Sequence, residues 1–291
     1  MGILRIEGRL NIVQNTQLKN AIYKLFVIVF GLILLYPIIW LIFASFKTDV
    51  QIHSYDMPLI PTEWHFENYT RAWKGFGGIS FTTYFANSIF VSCLATAFTA
   101  ISSAATAYGF SRIRFKGKKL WFALMMVTMM IPSQVLIIPQ YIIFSKLSWV
   151  GTFLPLIVPH MFTNAFFVFL IMQFIQGLPI EMDEAAIIDG CSRYTTFTRI
   201  LLPLIKPALI STVVIQFYWK WDEFMGPLMY LNSQEKYTVS LAVKAFADAT
   251  STTDYSAMFA ISVLSMIPVF LLFFFFNHYL VEGITMSGLK G

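Results

Sequence analysis

Long charge-free stretches alternate with short polar ones along this chain. Residues 25–46, 75–111, 120–145, 147–180 and 255–281 contain no Asp, Glu, Lys or Arg. Each exceeds the roughly 20 residues that cross a bilayer core as a helix. A sixth stretch, 207–231, is apolar apart from Lys220, Asp222 and Glu223. The pattern predicts an all-α membrane protein with six transmembrane helices, approximately 25–46, 82–111, 120–144, 150–176, 207–231 and 256–280. They form one membrane domain over 22–281, between an N-terminal segment 1–21 and a tail 282–291.

The second span, containing "SCLATAFTAISSAATAYGFS", is rich in small residues, which let helices approach closely in lipid and place it centrally in a bundle. Pro132 and Pro139 interrupt the third span, and Pro155 and Pro159 open the fourth. Proline frees a backbone carbonyl that protein or water must satisfy. Such breaks suit a moving or substrate-lining helix, or a static kink. Residues 1–20 are expected to form a short helix at the inner surface. The segment 47–80, with Trp64, Trp73 and "GFGG", either rests on a partner or covers the helix tops.

Charge then orients the bundle. Only 12% of residues are charged, against about a quarter in soluble proteins. With the N-terminus inside, the inner side holds Arg5, Arg9, Lys19, Lys24, the five bases of "RIRFKGKK", Arg193, Arg199, Lys206 and Lys290. The outer side holds fewer: Lys47, Arg71, Lys74, Lys146, Lys220, Lys236 and Lys244. The positive-inside rule therefore puts both termini in the cytoplasm. The net charge of +5 is a topology signal rather than a nucleic-acid footprint. The N-terminal apolar run is longer than a signal-peptide core and no small-x-small site precedes Lys47, so it reads as a retained span. Cys93 and Cys191 are not expected to pair. The histidines show no metal-ligand spacing, and His160 is expected as a packed, hydrogen-bonded residue. No G-x-x-x-x-G-K-[ST] occurs, so the chain has no P-loop for ATP.

One polar interruption is longer than a turn needs to be: "LPIEMDEAAIIDGCSRYTTFTRILLPLIKPAL", 178–209. Pro179 suits a helix start, and Glu181, Asp183 and Glu184 favour its N-terminus. Asp189-Gly190 reads as a stop, because glycine accepts the left-handed conformation. A second helix over 192–202 runs toward Pro203. The prediction is a helical hairpin at the inner membrane surface.

Glu184-Ala185-Ala186, three residues, Gly190, nine residues, Ile200, one residue, Leu202-Pro203 resembles the EAA signature of the membrane subunits of ATP-binding-cassette importers. The resemblance implies a type I importer permease fold, in which the loop 177–206 docks on a cytoplasmic ATPase through a coupling helix. Glu184 and Gly190 carry over as coupling residues, with Ala185 and Ala186 as the close-packing face. "AYGFSRIRFKGKK" at 107–119, "WKWDEFMGPL" at 219–228 and the ending "EGITMSGLKG" are similar to the permeases of maltose and other oligosaccharide importers, specifically the smaller-subunit type. In that branch the tail reaches between the ATPase subunits, which implies ATPase contacts for Lys290 and Gly291. The implied partners are a second homologous permease, two ATPases that bind ATP and Mg, and an extracytoplasmic solute-binding protein. No cofactor is expected on this chain, and no catalysis. It would supply half of a carbohydrate pathway and couple it to ATP, with the fourth and fifth spans moving most.

The fifth span offers candidate pathway residues: Gln216, Tyr218, Trp219, Trp221 and Asp222, joined by Asn164 of the fourth. Aromatic faces with nearby hydrogen-bonding groups suit sugar rings. Lys220 lies roughly 20 Å along the helix from Pro207, and three residues from Glu223, with which it can pair. Either the segment lines the pathway, or it has reached the outer interface, where tryptophans and charges are routine. For the segment 232–254 the resemblance implies contact with the binding protein, whereas its apolar positions Val239, Leu241, Ala242, Ala245 and Phe246 could instead form a short helix lying on the membrane. Rival readings are a permease for glycerol-phosphate or another polar solute, an ion-coupled secondary transporter, and a structural subunit of a membrane enzyme complex.

Overall fold

The computed structural model describes residues 3–56, 58–249 and 254–288. Among them the chain is helical, with one isolated bridge between Phe76 and Ile79. In chain order the first helices are α1 (Ile3–Ala44), α2 (Asp49–Ile52), α3 (Glu67–Lys74), α4 (Phe81–Arg112), α5 (Lys118–Thr128) and α6 (Ser133–Lys146). There follow α7 (Leu154–Ile157), a 3-10 turn (Val158–Met161), α8 (Ala165–Gly177) and α9 (Glu181–Ile188). The strand-free pattern continues with α10 (Arg193–Thr195), a π-helical turn (Thr196–Leu201), α11 (Leu202–Leu204) and α12 (Lys206–Trp221). The last helices are α13 (Met225–Tyr230), α14 (Val239–Ala249) and α15 (Tyr255–Gly288). Among the described residues, four helical stretches are long and apolar enough to cross a bilayer, Lys19–Ala44, Phe81–Arg112, Leu154–Gly177 and Tyr255–Leu280. Two bent pairs bring the number to as many as six.

The two bends follow from proline. Between α5 and α6 the axis turns by 99°, where Pro132 has no N–H to continue the helix and precedes the new N-terminus. Between Arg193–Leu204 and α12 it turns by 75°, with Pro203 and Pro207 on either side of the break. The third membrane segment is thus an elbow at the proline break its sequence shows, whereas the fifth, expected over 207–231, ends as a helix at Trp221, with α13 starting anew at Met225. The fourth is interrupted as well: its 3-10 turn ends at Phe162, where the backbone is extended, and α8 starts afresh at Ala165. At the N-terminus no short surface helix is set apart: α1 runs unbroken from Ile3.

Contacts divide the chain into two units. The first comprises Met1–Thr70 and Asp254–Val263. In it the Asn68 amide donates to the carbonyls of Ser45 and Lys47, and Phe46 packs against Trp64, Phe66 and Tyr69. The Asp49 carboxylate accepts from Ser256 N and Oγ, both at 2.9 Å, placing negative charge at the start of α15.

The second unit comprises Arg71–Thr253 and Leu264–Gly291. α4 is its centre, packed against α7, α8, α12 and α14. Ser80 caps it, its hydroxyl accepting from Thr82 N. The residues α4 buries are mostly small: Ser88, Ser92, Ala95, Thr96, Thr99, Ser103, Ala104 and Ala107. The small-residue stripe predicted to sit centrally does so, because small side chains let neighbouring backbones come close. The expected helix over Val239–Phe246 also forms, but its apolar face covers the chain itself. Val239, Leu241, Ala242 and Phe246 are buried, and Phe246 meets Phe76 and Phe81.

Candidate functional site

Two groups of predicted residues lie in the second unit, one on the polar hairpin and one beside α12. The hairpin begins with α9, whose first turn holds Glu181, Asp183 and Glu184. It ends in a tight reversal. Gly190 has φ +78°, its N–H donates to the Ile187 carbonyl and the Cys191 N–H to the Ala186 carbonyl. These two bonds form a Schellman motif, which satisfies carbonyls left open at a helix end. The Ser192 hydroxyl then caps α10 by accepting from Thr195 N, and the chain continues to Leu204. Glu184, Ala185, Ile187, Ile188, Asp189 and Tyr194 remain exposed, Ile188 to 85%.

The paired alanines separate. Ala185 is exposed, whereas Ala186 is only 3% exposed, and α9 packs against the π-helical turn. The close-packing face expected of both is therefore available for a partner at Ala185 and is used internally at Ala186. Lys290 and Gly291 lie outside the described residues.

Sequence reasoning missed what holds the hairpin from behind. Arg112, the last residue of α4, donates from Nη2 to the carbonyls of Leu178 (2.8 Å) and Pro179 (3.4 Å). Its Nε lies 3.0 Å from Asp183 Oδ2, with both side chains largely buried. One turn earlier, the Tyr108 hydroxyl donates to the Arg193 carbonyl at 3.2 Å, and its ring stacks on Phe197 at 4.9 Å. Only the position of "RIRFKGKK" on the same side of the bundle hinted at these contacts.

The second group surrounds an open cavity of ≈ 380 Å³. Asn164, Gln216, Tyr218, Trp219 and Asp222 line it, together with Ser133, His160, Lys220 and Glu223. Gln216, Trp219 and Lys220 share one face of α12 by their spacing of three and four, and Glu223 joins them from beyond the helix end at Trp221. Trp219 stacks obliquely on Phe166 and Phe167, at 5.4 and 5.2 Å. Lys220 Nζ donates to Glu223 Oε2 at 2.5 Å. His160 is hydrogen-bonded, as expected, through Nδ1 to Thr99 Oγ1 (3.1 Å) and Gln216 Nε2 (3.4 Å), yet it also lines the cavity. Asn164 caps α8 by accepting from Phe166 N. Ser133 arrives because the elbow at Pro132 starts α6 there.

Trp221 is the exception. It is 5% exposed, its Nε1 donates to the Ser265 carbonyl at 2.8 Å, and it stacks on Phe217. Two residues along a helix amount to about 200° of rotation, so Trp221 faces away from Trp219. The cavity can offer a polar ligand an aromatic face, amide and hydroxyl groups, and a cation already paired with an anion.

Comparison with known proteins agrees with this architecture. Residues 97–286 match the family described as binding-protein-dependent transport system inner membrane component. A probable ABC transporter permease protein, YurM of Bacillus subtilis, is 33% identical over 269 residues, covering 91% of this chain and 87% of that one. The trehalose/maltose transport system permease protein MalG of Thermococcus litoralis is 33% identical over 275 residues, covering 94% and 98%. The arabinooligosaccharides transport system permease protein AraQ of Halalkalibacterium halodurans is 30% identical over 261 residues, covering 89% and 92%. In structure, a chain of a bacterial ABC transporter involved in importing the acidic polysaccharide alginate superposes with a TM-score of 0.79. It is 21% identical, with 90% of this chain and 96% of that chain covered.

Proposed function

Because the chain belongs to the family of binding-protein-dependent transport system inner membrane components, we propose that it forms half of the membrane pathway of a carbohydrate importer and takes up ATP-driven motion through its hairpin. It is a multi-pass, non-catalytic membrane subunit. Relatives named for trehalose and maltose, arabinooligosaccharides and diacetylchitobiose support a saccharide substrate. The observation that carries the reading is the pairing, within one compact unit, of an exposed hairpin with a cavity lined by Trp219, Tyr218, Gln216 and Asn164. Sugar rings present apolar C–H faces to aromatic groups and hydroxyls to amides.

In this reading both termini and the hairpin face the cytoplasm, following the excess of Lys and Arg on that side. A second homologous permease completes the pathway, and two ATPases supply the sites for ATP and Mg. Their closure pushes on Glu184, Ala185 and the exposed Ile187 and Ile188. An extracytoplasmic binding protein delivers the sugar to the opposite side.

The test is ATP hydrolysis by the complete complex in liposomes, with the binding protein loaded in turn with maltose, trehalose, arabinooligosaccharides and diacetylchitobiose. At least one loaded form should stimulate hydrolysis in the wild type, and Glu184→Lys and Gly190→Pro should abolish that stimulation in assembled complexes. Normal stimulation of both variants would overturn the coupling role, and uptake that collapses at once with a protonophore would overturn ATP as the driver.

A further inference from the structure

We propose that α4, the second span, is the relay between the hairpin and the cavity, and that Arg112 and Tyr108 are the positioning residues that attach it. The inference rests on the coupling reading above, but it moves the mechanical path away from the spans that flank the loop in sequence.

Attachment is the first argument. Arg112 sits where α8 ends and α9 begins. It donates to the carbonyl of Leu178, the C-cap of α8, and its charge pairs at 3.0 Å, without hydrogen-bond alignment, with the carboxylate of Asp183 in the first turn of α9. A guanidinium can hold both at once because one planar group carries both the donors and the charge. Tyr108 holds the other arm, through Arg193 and Phe197. Two residues one turn apart on α4 therefore grip both strokes of the hairpin, and α4 must follow any rigid-body displacement of it.

Stiffness is the second. α1 contains Pro37, α6 Pro139 and α15 Pro268, the fourth span starts at Pro155 and Pro159, and the fifth bends between Pro203 and Pro207. α4 is 32 residues without a proline. Helices kink at such breaks, so a push entering the fourth or fifth span is absorbed at an elbow. A push entering α4 travels its length.

Delivery is the third. Thr99 lies thirteen residues from Arg112, about 20 Å up the helix. Its hydroxyl meets His160 Nδ1 at 3.1 Å, and Ser102 Oγ donates to the His160 carbonyl at 3.3 Å. His160 and its neighbour Gln216 line the cavity. Higher still, Ser88 Oγ accepts from Val239 N, and Asn87 Nδ2 donates to the carbonyls of Glu235 and Tyr237. One helix thus touches the hairpin, the cavity wall and the segment before α14.

The experiment measures the distance between spin labels at Ile101 on α4 and Ile142 on α6, after Cys93→Ala and Cys191→Ser, in the complete importer in nanodiscs. Nucleotide-free and ATP–vanadate states are compared. Wild type should show a shifted distance distribution between the states. Arg112→Gln should remove the shift, Arg112→Lys should leave a reduced one, and Tyr108→Phe should lower substrate-stimulated hydrolysis severalfold with assembly intact. Unshifted labels in the wild type overturn the proposal. So does a full shift in Arg112→Lys together with normal stimulation in Tyr108→Phe, two variants mild enough to fold. Glu184→Lys separates the layers: if it abolishes the shift while the Arg112 variants keep it, coupling stands and the relay falls. If every variant keeps the shift, the coupling reading itself falls.

Discussion

Trp219 and Trp221 stand two residues apart on α12 and inhabit different worlds: Trp219 is 44% exposed at the cavity, Trp221 is 5% exposed and bonded to the Ser265 carbonyl. Their substitutions should separate binding from folding. Trp219→Ala is expected to raise the KM for uptake on the order of tenfold, equivalent to about 1.4 kcal/mol, with the amount of assembled complex unchanged. Trp221→Phe should leave KM alone and cost about 1 kcal/mol from the lost hydrogen bond. Uptake kinetics and thermal denaturation in detergent distinguish the two.

The alanines of the hairpin separate in the same way. Ala186→Leu forces a larger side chain into a buried site and should cost about 1–3 kcal/mol of local stability. Ala185→Leu should change stability by no more than about 0.5 kcal/mol but reduce association with the ATPase, since Ala185 faces outward. Limited proteolysis of the hairpin reports the first effect and co-purification of the ATPase the second. Equal behaviour of the two variants in both assays would contradict the separation.

At Gly190 the constraint is conformation rather than space, because nothing lies within 4 Å of an added Cβ. Gly190→Ala should therefore cost about 1–2 kcal/mol for the left-handed backbone, and Gly190→Asn less. Gly190→Pro should be worst, losing both the φ and the N–H that bonds Ile187. Stimulated ATP hydrolysis should fall in that order, Asn, Ala, Pro.

Lys220 and Glu223 form a pair with side-chain exposures of 12% and 31%. Glu223→Ala strands a cation and should cost about 1–3 kcal/mol, less than the roughly 3–5 of a fully buried pair. Adding Lys220→Met should recover part of that loss, so the double variant melts higher than Glu223→Ala alone. A lower melting temperature in the double variant would show that the pair is not the relevant partner.

Much of this was legible in the chain itself, for local reasons. The reversal at Gly190 follows from one Asp-Gly step after an apolar helix, and the central place of α4 from its small residues. The cavity face was half legible: the three-and-four spacing of Gln216, Trp219 and Lys220 announces it, but spacing alone does not explain why Tyr218 lines it and Trp221, three residues on, does not. The break before α12 was legible from Pro203 and Pro207, but the end of α12 at Trp221, well short of the expected 231, was not, because hydropathy averages across Asp222 and Glu223. The burial of Ala186 depends on how α9 rolls against the next turn, and the grip of Arg112 joins residues 66 or more apart. Neither has a signature in any short window.

The Lys220–Glu223 pair also has an electrical meaning. A membrane potential does about 2.3 kcal/mol of work on each elementary charge carried across 100 mV. Two opposite charges held at 2.5 Å travel together, so a shift that carries both draws no net work from the field on the pair. A lone lysine there would have made each transport stroke heavier or lighter with the cell's voltage. With its counter-charge attached, Lys220 adds no net charge to that movement, and the charge the field can still act on at this end of α12 is that of Asp222.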